Sequence, residues 1–308
     1  MFRSFRSVYR LYNTIHCGNV KLLHLPRVSK TDKRCCSYVK TMANQSENTM
    51  NDVFKGTQDR YNGITVESVN EQCSSELFPK KLEDSLQKWV EVGKRGIWFK
   101  VALTEADWVP VLARNGFKFH HAHEGFVMMY RWLPEETEVC NVPPYAHTNL
   151  GVGAIVINDA NELLVVREKY YEVPHWKLPG GYVERGEDIV DGAMREVKEE
   201  TGIDTEFHSV ISFRHAHHTL FGYSDIYMIV QLKPLSLTIQ RCERELESCQ
   251  WMNVNEFLNH PNVHNLNRKI VNEALEFKRR GIKIAASKDV YNLLTMSKEF
   301  TVFSLKDV

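Results

Sequence analysis

Residues 181–203 read GYVERGEDIVDGAMREVKEETGI, and the fold turns on how the second half of that stretch is placed. Val190, Ala193, Met194 and Val197 recur at helical spacing, and Gly202 stands where such a helix would stop. On a 3.6-residue repeat Glu196, Glu199 and Glu200 fall within about one hundred degrees of one another on a neighbouring face. Like charges at i, i+4 cost roughly 0.2–0.5 kcal/mol per pair. The stripe also lies toward the helix C-terminus, where the macrodipole disfavours negative charge. A divalent cation offsets that repulsion. Hard oxygen donors in this arrangement suit Mg²⁺ or Mn²⁺, which keep several waters and also bind the phosphate oxygens of a substrate.

The spacing extends beyond the helix. Gly181 is followed after five residues by Glu187, and after seven more by Arg195-Glu196-Val197, then Glu199-Glu200, then Gly202-Ile203. At average composition, seven fixed matches of this kind arise by chance on the order of once in a million chains. The stretch resembles, at every position, the signature of the Nudix hydrolases: Gly, five residues, Glu, seven residues, then Arg-Glu-aliphatic-x-Glu-Glu-x-Gly-aliphatic. The resemblance implies an α/β fold, an α/β/α sandwich around a mixed sheet. It implies Glu196, Glu199 and Glu200 as metal ligands, with Glu199 or Glu200 also a candidate base for the attacking water. Arg195 would orient the carboxylates through a salt bridge with Glu187, and Gly180 and Gly181 would form the loop approaching metal and phosphate. The implied reaction is displacement of one phosphoryl group from another by water, at the diphosphate of a nucleoside diphosphate linked to a second group.

The rest of the chain is read around this motif. Residues 42–53 are polar and aperiodic and read as a linker. An α/β domain is expected over 54–133: a strand start at YNGITVESV, a helix over FPKKLEDSLQKWVEVGKRG with Pro79 in its first turn and Gly93 or Gly96 ending it, then a strand at GIWFKVAL. Thr104 and Asp107 resemble a capping box before a short helix closed by Gly116. FKFHHAHEGFVMMYRWL then reads as one strand, and Trp89, Trp98, Trp108 and Trp132 as the core of this domain. In outline the domain is similar to a smaller acetyltransferase-like α/β domain, although its strand-to-helix turn lacks a Gly-rich phosphate cradle. A scaffold or homodimer surface is therefore expected of it.

Residues 134–144 form a Pro-rich connector, and the catalytic domain is expected over 145–283. Within it GVGAIVIND and ELLVVREKY read as a hairpin closed by NDAN. Strands are expected at EFHSVISFRHAH, SDIYMIVQLKP and SCQWMNVNEFL, then a helix around NRKIVNEALEFKRRG and a weakly patterned tail over 284–308. Arg214 is a candidate for holding a phosphate bidentately, and Phe213, Phe221 or Tyr223 for stacking on a base. His215, His217 and His218 read as strand-end histidines rather than a metal site. Glu243, Glu245 and Glu247 offer a further carboxylate, Glu245 foremost, against the alternative of an acidic solvent-facing turn.

Charge and composition bound the partners. Residues 1–41 hold nine Lys/Arg against the single acid Asp32, leaving thirty bases and thirty-eight acids, a net of −8, for the remainder. Such an acidic body offers no extended nucleic-acid surface. No apolar run reaches the length of a membrane span. Seven cysteines without a C-x-x-C pair argue against a disulfide framework and a four-cysteine zinc site. The N-terminal MFRSFRSVYRLYNTI interleaves Arg3, Arg6 and Arg10 with Phe2, Phe5, Tyr9 and Tyr12, which reads residues 1–41 as a mitochondrial transit segment. A form starting at Met42 would stay in the cytoplasm or nucleus. The two-domain order resembles a Nudix branch associated with ADP-ribose and NADH hydrolysis, which makes a nucleotide-derived small molecule of that type the expected substrate. An RNA nucleotide cap, and a regulatory binding role with weak turnover, are the alternative readings.

Overall fold

The computed structural model describes residues 53–71, 73–134, 137–292 and 297–306. The expected transit segment and nearly all of the expected linker at 42–53 lie outside these residues. The described chain divides into two compact units, with the boundary between Ala146 and His147.

The first unit contains strands β1 (Thr57–Gln58) and β2 (Ile64–Glu67), helix α1 (Phe78–Glu91), β3 (Gly96–Ala102), helix α2 (Trp108–Arg114), β4 (Lys118–His123) and β5 (Phe126–Trp132). They form a sheet in the order β1-β2-β3-β5-β4, in which β2 and β3 are parallel. A single core joins alternate residues of β3, Ile97, Phe99 and Val101, to Phe78, Leu82 and Trp89 of α1 and Trp108 and Leu112 of α2. Strand alternation divides the four expected core tryptophans. Trp89 and Trp108 are buried, whereas Trp98 points to the opposite sheet face, against Tyr130 and His120, and Trp132 lies beneath the Arg95 guanidinium. The single strand expected over residues 117–133 is instead the hairpin β4–β5, because the chain turns at Glu124-Gly125. Asp107 is the residue before α2, but its side chain makes no capping bond.

The second unit contains β6 (Thr148–Val156), β7 (Glu162–Glu168), β8 (Gly180–Tyr182), helix α3 (Ile189–Thr201), β9 (Thr205–Ala216), β10 (Ser224–Pro234), β11 (Leu246–Asn253), helices α4 (Val254–Asn259) and α5 (Asn265–Arg280), β12 (Lys283–Asn292) and β13 (Ser297–Lys306). A mixed sheet runs β13-β12-β9-β10-β6-β8, with β6 and β10 parallel, and β7 pairs with β11 separately. Alternation along β6 distributes its side chains to two cores. Val152, Ala154 and Val156 pack with Ala193 and Val197 of α3, while Ile155 packs with Ile270, Val271 and Ala274 of α5. The result is the helix–sheet–helix sandwich that the resemblance implies.

Two expectations are corrected here. The NDAN turn does close, with Asn161 at a positive φ of 59° and its amide donating to the Asn158 carbonyl, yet β6 and β7 meet only at the bridge between Ile157 and Leu163. Both strands are apolar on both faces, so each is buried in a different sheet instead of pairing with the other along its length. The weakly patterned tail forms part of the sheet: β12 and β13 pair along ten residues each and join it where Ile284 meets Val210. Ile284 and Phe303 supply its inward anchors.

Candidate active site

Helix α3 begins after Asp188 and ends at Gly202, which adopts the left-handed conformation (φ 76°) that lets the chain leave the helix. Ala193 and Val197 face the sheet. That orientation sets Glu196, Glu199 and Glu200 along the edge facing β8, at graded depths. Glu200 is only 1% exposed, Glu196 is mostly covered, and the Glu199 side chain is 47% exposed.

Two glycines make this approach possible. Gly180 has φ 153°, and a Cβ on it would collide with the Val152 carbonyl oxygen. Its amide donates to Glu200 Oε2 at 3.0 Å, anchoring the buried carboxylate. At Gly181 a Cβ would occupy the place of the Glu196 carboxylate, so that side chain packs directly on the backbone of β8, which stands where a loop was expected because both glycines pair with β6.

Arg195 ties the motif together. Its Nε and Nη2 donate to Glu187 Oε1 and Oε2 at 2.7 and 2.9 Å, a two-pronged grip. Nη1 reaches Glu196 at 3.0 Å and Glu199 at 3.4 Å, and Nη2 also donates to the Tyr182 carbonyl. The guanidinium beside Glu187 holds that carboxyl below the ordinary carboxylate value, and Glu187 in turn raises the pKa of Arg195. The expected Arg195–Glu187 salt bridge is therefore present, and it links β8, the loop after it and α3.

The hard-oxygen donor set and the side-chain-free Gly180-Gly181 backbone of β8 fit a divalent cation with bound phosphate. Among the described residues no three acidic, His or Cys side chains converge tightly enough to cage an ion. Glu196 and Glu199 are instead oriented toward Arg195, and Glu200 toward Gly180.

The loop before β11 comes to the same end of α3: the Gln240 and Cys242 amides donate to the Thr201 and Glu200 carbonyls. Glu243 and Glu245 in this loop and Glu247 at the start of β11 are used differently. Glu247 pairs with Arg167 at 3.0 Å, the Glu243 carbonyl accepts from Lys169 Nζ, and the Glu245 carbonyl accepts from the Lys169 amide. On β11, burial, with a smaller contribution from Glu200, pushes the Cys249 thiol up to about 12.

The proposed substrate contacts on β9 separate. Phe213 and Arg214 are consecutive on a strand and so point to opposite faces; Phe213 lies opposite Met228 and is 68% exposed. The Arg214 guanidinium is paired with Asp225 and lies 5.1 Å over the Tyr227 ring. Asp225 and Tyr227 escaped the sequence reading, and only cross-strand register could have found them. His217 bonds to Ser224 and stacks edge-on with His215, as expected of strand-end histidines. A concavity of about 760 Å³ on α5, lined by Asn265, Arg268, Asn272 and Glu276, is open and belongs to the opposite face of the sandwich.

A glutamate-bearing helix set against a glycine-led strand, within an α/β/α sandwich, matches the hydrolase domain that the signature implies. A family model described as the NUDIX domain matches residues 147–274, which contain this site, and one described as the Nudix hydrolase domain matches residues 54–133. Nudix hydrolase 2 of Arabidopsis thaliana is 41% identical over 216 residues, covering 69% of this chain and 77% of that protein. Nucleoside diphosphate-linked moiety X motif 6 of Homo sapiens is 35% identical over 235 residues, covering 74% of each. Among solved structures, a NUDIX hydrolase from Nitrosomonas europaea aligns with 54% of this chain and 88% of its own, at 21% identity and a TM-score of 0.39. The chain belongs to the Nudix hydrolase family.

Proposed function

We propose that this protein hydrolyses the diphosphate of a nucleoside diphosphate linked to a second moiety, with ADP-ribose and NADH as its leading substrates. The observation that carries the reading is the set of Glu196, Glu199 and Glu200 along one edge of α3, against the Gly180-Gly181 start of β8, which has no side chains. The name of the human relative, which specifies a nucleoside diphosphate-linked moiety, supports the substrate class.

Glu196, Glu199 and Glu200 would hold Mg²⁺ or Mn²⁺, which when bound neutralises diphosphate charge and acidifies a coordinated water. Arg195 and Glu187 keep the carboxylates in register. Gly180 and Gly181 let the diphosphate approach the backbone closely. Glu199, the most exposed of the three carboxylates, has the best access to a water, whereas Glu200 is already engaged by the Gly180 amide. With Arg214 engaged by Asp225, phosphate recognition in this reading falls chiefly to the Gly180-Gly181 backbone and the metal-binding edge.

The test is a panel of ADP-ribose, NADH, diadenosine polyphosphates, nucleoside triphosphates and capped RNA, each with Mg²⁺ or Mn²⁺, comparing wild type with Glu199→Gln. Metal-dependent cleavage of ADP-ribose or NADH that the variant loses is the expected result. Preference for capped RNA would replace the substrate, and equal activity of the two proteins would reject the site. Residues 1–41 are proposed to direct the chain to mitochondria; a diffuse signal from a fluorescent fusion of residues 1–45 would refute this.

A further inference from the structure

Tyr227 occupies space that three glycines leave open. It lies opposite Gly151 on β6 and opposite Arg214 on β9. A Cβ on Gly151 would come within 2.8 Å of its Cδ2, and one on Gly153 within 2.7 Å of both Cε1 and the hydroxyl. A Cβ on Gly180 would come within 2.8 Å of that hydroxyl. The ring therefore lies across β6, and its oxygen ends at the first residue of β8. On its other side the Arg214 guanidinium covers the ring, held there by Asp225, which is only 6% exposed.

The contact matters because of what Gly180 does. Its unusual backbone conformation directs its amide at Glu200, and Gly153 is its partner across β6. Tyr227, Ile229 and Gly153 belong to the α5 side of the sheet, while Glu200 approaches from α3. Gly180 is thus held between a tyrosine on one side and a buried carboxylate on the other.

We infer that Tyr227 is a positioning residue: backed by Arg214 and Asp225, it fixes the Gly180 peptide so that its amide holds Glu200 in place for the metal. The inference rests on the reading of Glu200 as a ligand. Arg214 then acts through Tyr227 and not on a phosphate.

The experiment measures Mn²⁺ binding by calorimetry and the Gly180 amide resonance by NMR, for wild type, Tyr227→Phe, Tyr227→Leu and Glu200→Gln. Removing a group that orients a ligand lowers metal affinity about 10- to 100-fold. Tyr227→Leu is expected near the lower end of that range, with a shifted and faster-exchanging Gly180 amide, and Tyr227→Phe between it and wild type. Wild-type Mn²⁺ affinity and an unmoved Gly180 amide in Tyr227→Leu would overturn the inference. If that variant does not fold, Tyr227→Phe decides, and its identity with wild type on both readouts would be equally fatal. The control separates the two readings. If Glu200→Gln loses Mn²⁺ while the tyrosine variants do not, only the role of Tyr227 falls; if Glu200→Gln binds normally, the ligand assignment falls with it.

Discussion

Arg195 and Glu187, eight residues apart, face each other through two parallel hydrogen bonds of 2.7 and 2.9 Å. The pair is mostly covered, so the guanidinium's planar fork has little water to fall back on. Lysine offers a point charge and cannot reproduce the fork. Arg195→Lys should therefore lower stability by roughly 2 kcal/mol, below the range for a fully buried pair because this one is partly wet. Activity should fall with it, since the same side chain contacts Glu196 and Glu199. Urea melts and kcat values that match wild type would contradict this.

The pH dependence of that pair has a definite sign. Glu187 titrates below its ordinary 4.5 because Arg195 bonds to its charged form. The stability it contributes is therefore complete above that ordinary value and is lost as pH falls through the lowered one. The stability difference between wild type and Glu187→Gln should be flat from neutral pH to about 5 and shrink toward zero on further acidification. A difference that grows on acidification would show that the pairing is wrongly assigned.

The two adjacent glycines should fail differently. Alanine at Gly180 meets backbone, the Val152 carbonyl, at a φ that side chains avoid. Gly180→Ala should cost about 3 kcal/mol or more in stability. Alanine at Gly181 meets the movable end of Glu196. Gly181→Ala should melt within about 1 kcal/mol of wild type yet bind Mn²⁺ more weakly. Reversed severities in thermal melts would refute the distinction.

Cys249 offers a chemical probe of the packing between β11 and α3. With its thiol at about 12, almost no thiolate exists at pH 8. Maleimide should label the exposed Cys140 rapidly and Cys249 only in denaturant, as read by peptide mass spectrometry. Fast labelling of Cys249 in the native protein would mean that the loop tethered to α3 opens readily.

What the sequence disclosed and what it hid have a common cause. Glu187, Arg195 and the three glutamates lie within one turn-and-helix stretch, so spacing alone places them together. The contacts of Arg214 depend on which residue lies across the strand gap, and nothing local announces that Asp225 and Tyr227 are its neighbours. Trp98 and Trp132 were legible as packing residues but not as members of the sheet face away from the helices, because strand phase is set by pairing. The turn at residues 158–161 resembled an ordinary hairpin; the sorting of its strands into two sheets reflects burial on both faces, which a run of aliphatic residues does not distinguish. The strands of the tail expose most of their residues, which left too faint an alternation to read.

Asp188, immediately before α3, does not cap its own helix; its carboxylate is bound by Lys288 at 2.8 Å and by the Thr301 hydroxyl at 3.1 Å, from a residue 113 positions downstream. During synthesis helix α3 is thus made long before the strands that hold its first turn. A nascent chain stalled between α5 and β13 would already carry every glutamate of the motif, yet its α3 would lack this tether. The helix of the motif is thus specified locally, while the anchor of its first turn arrives only with β12 and β13.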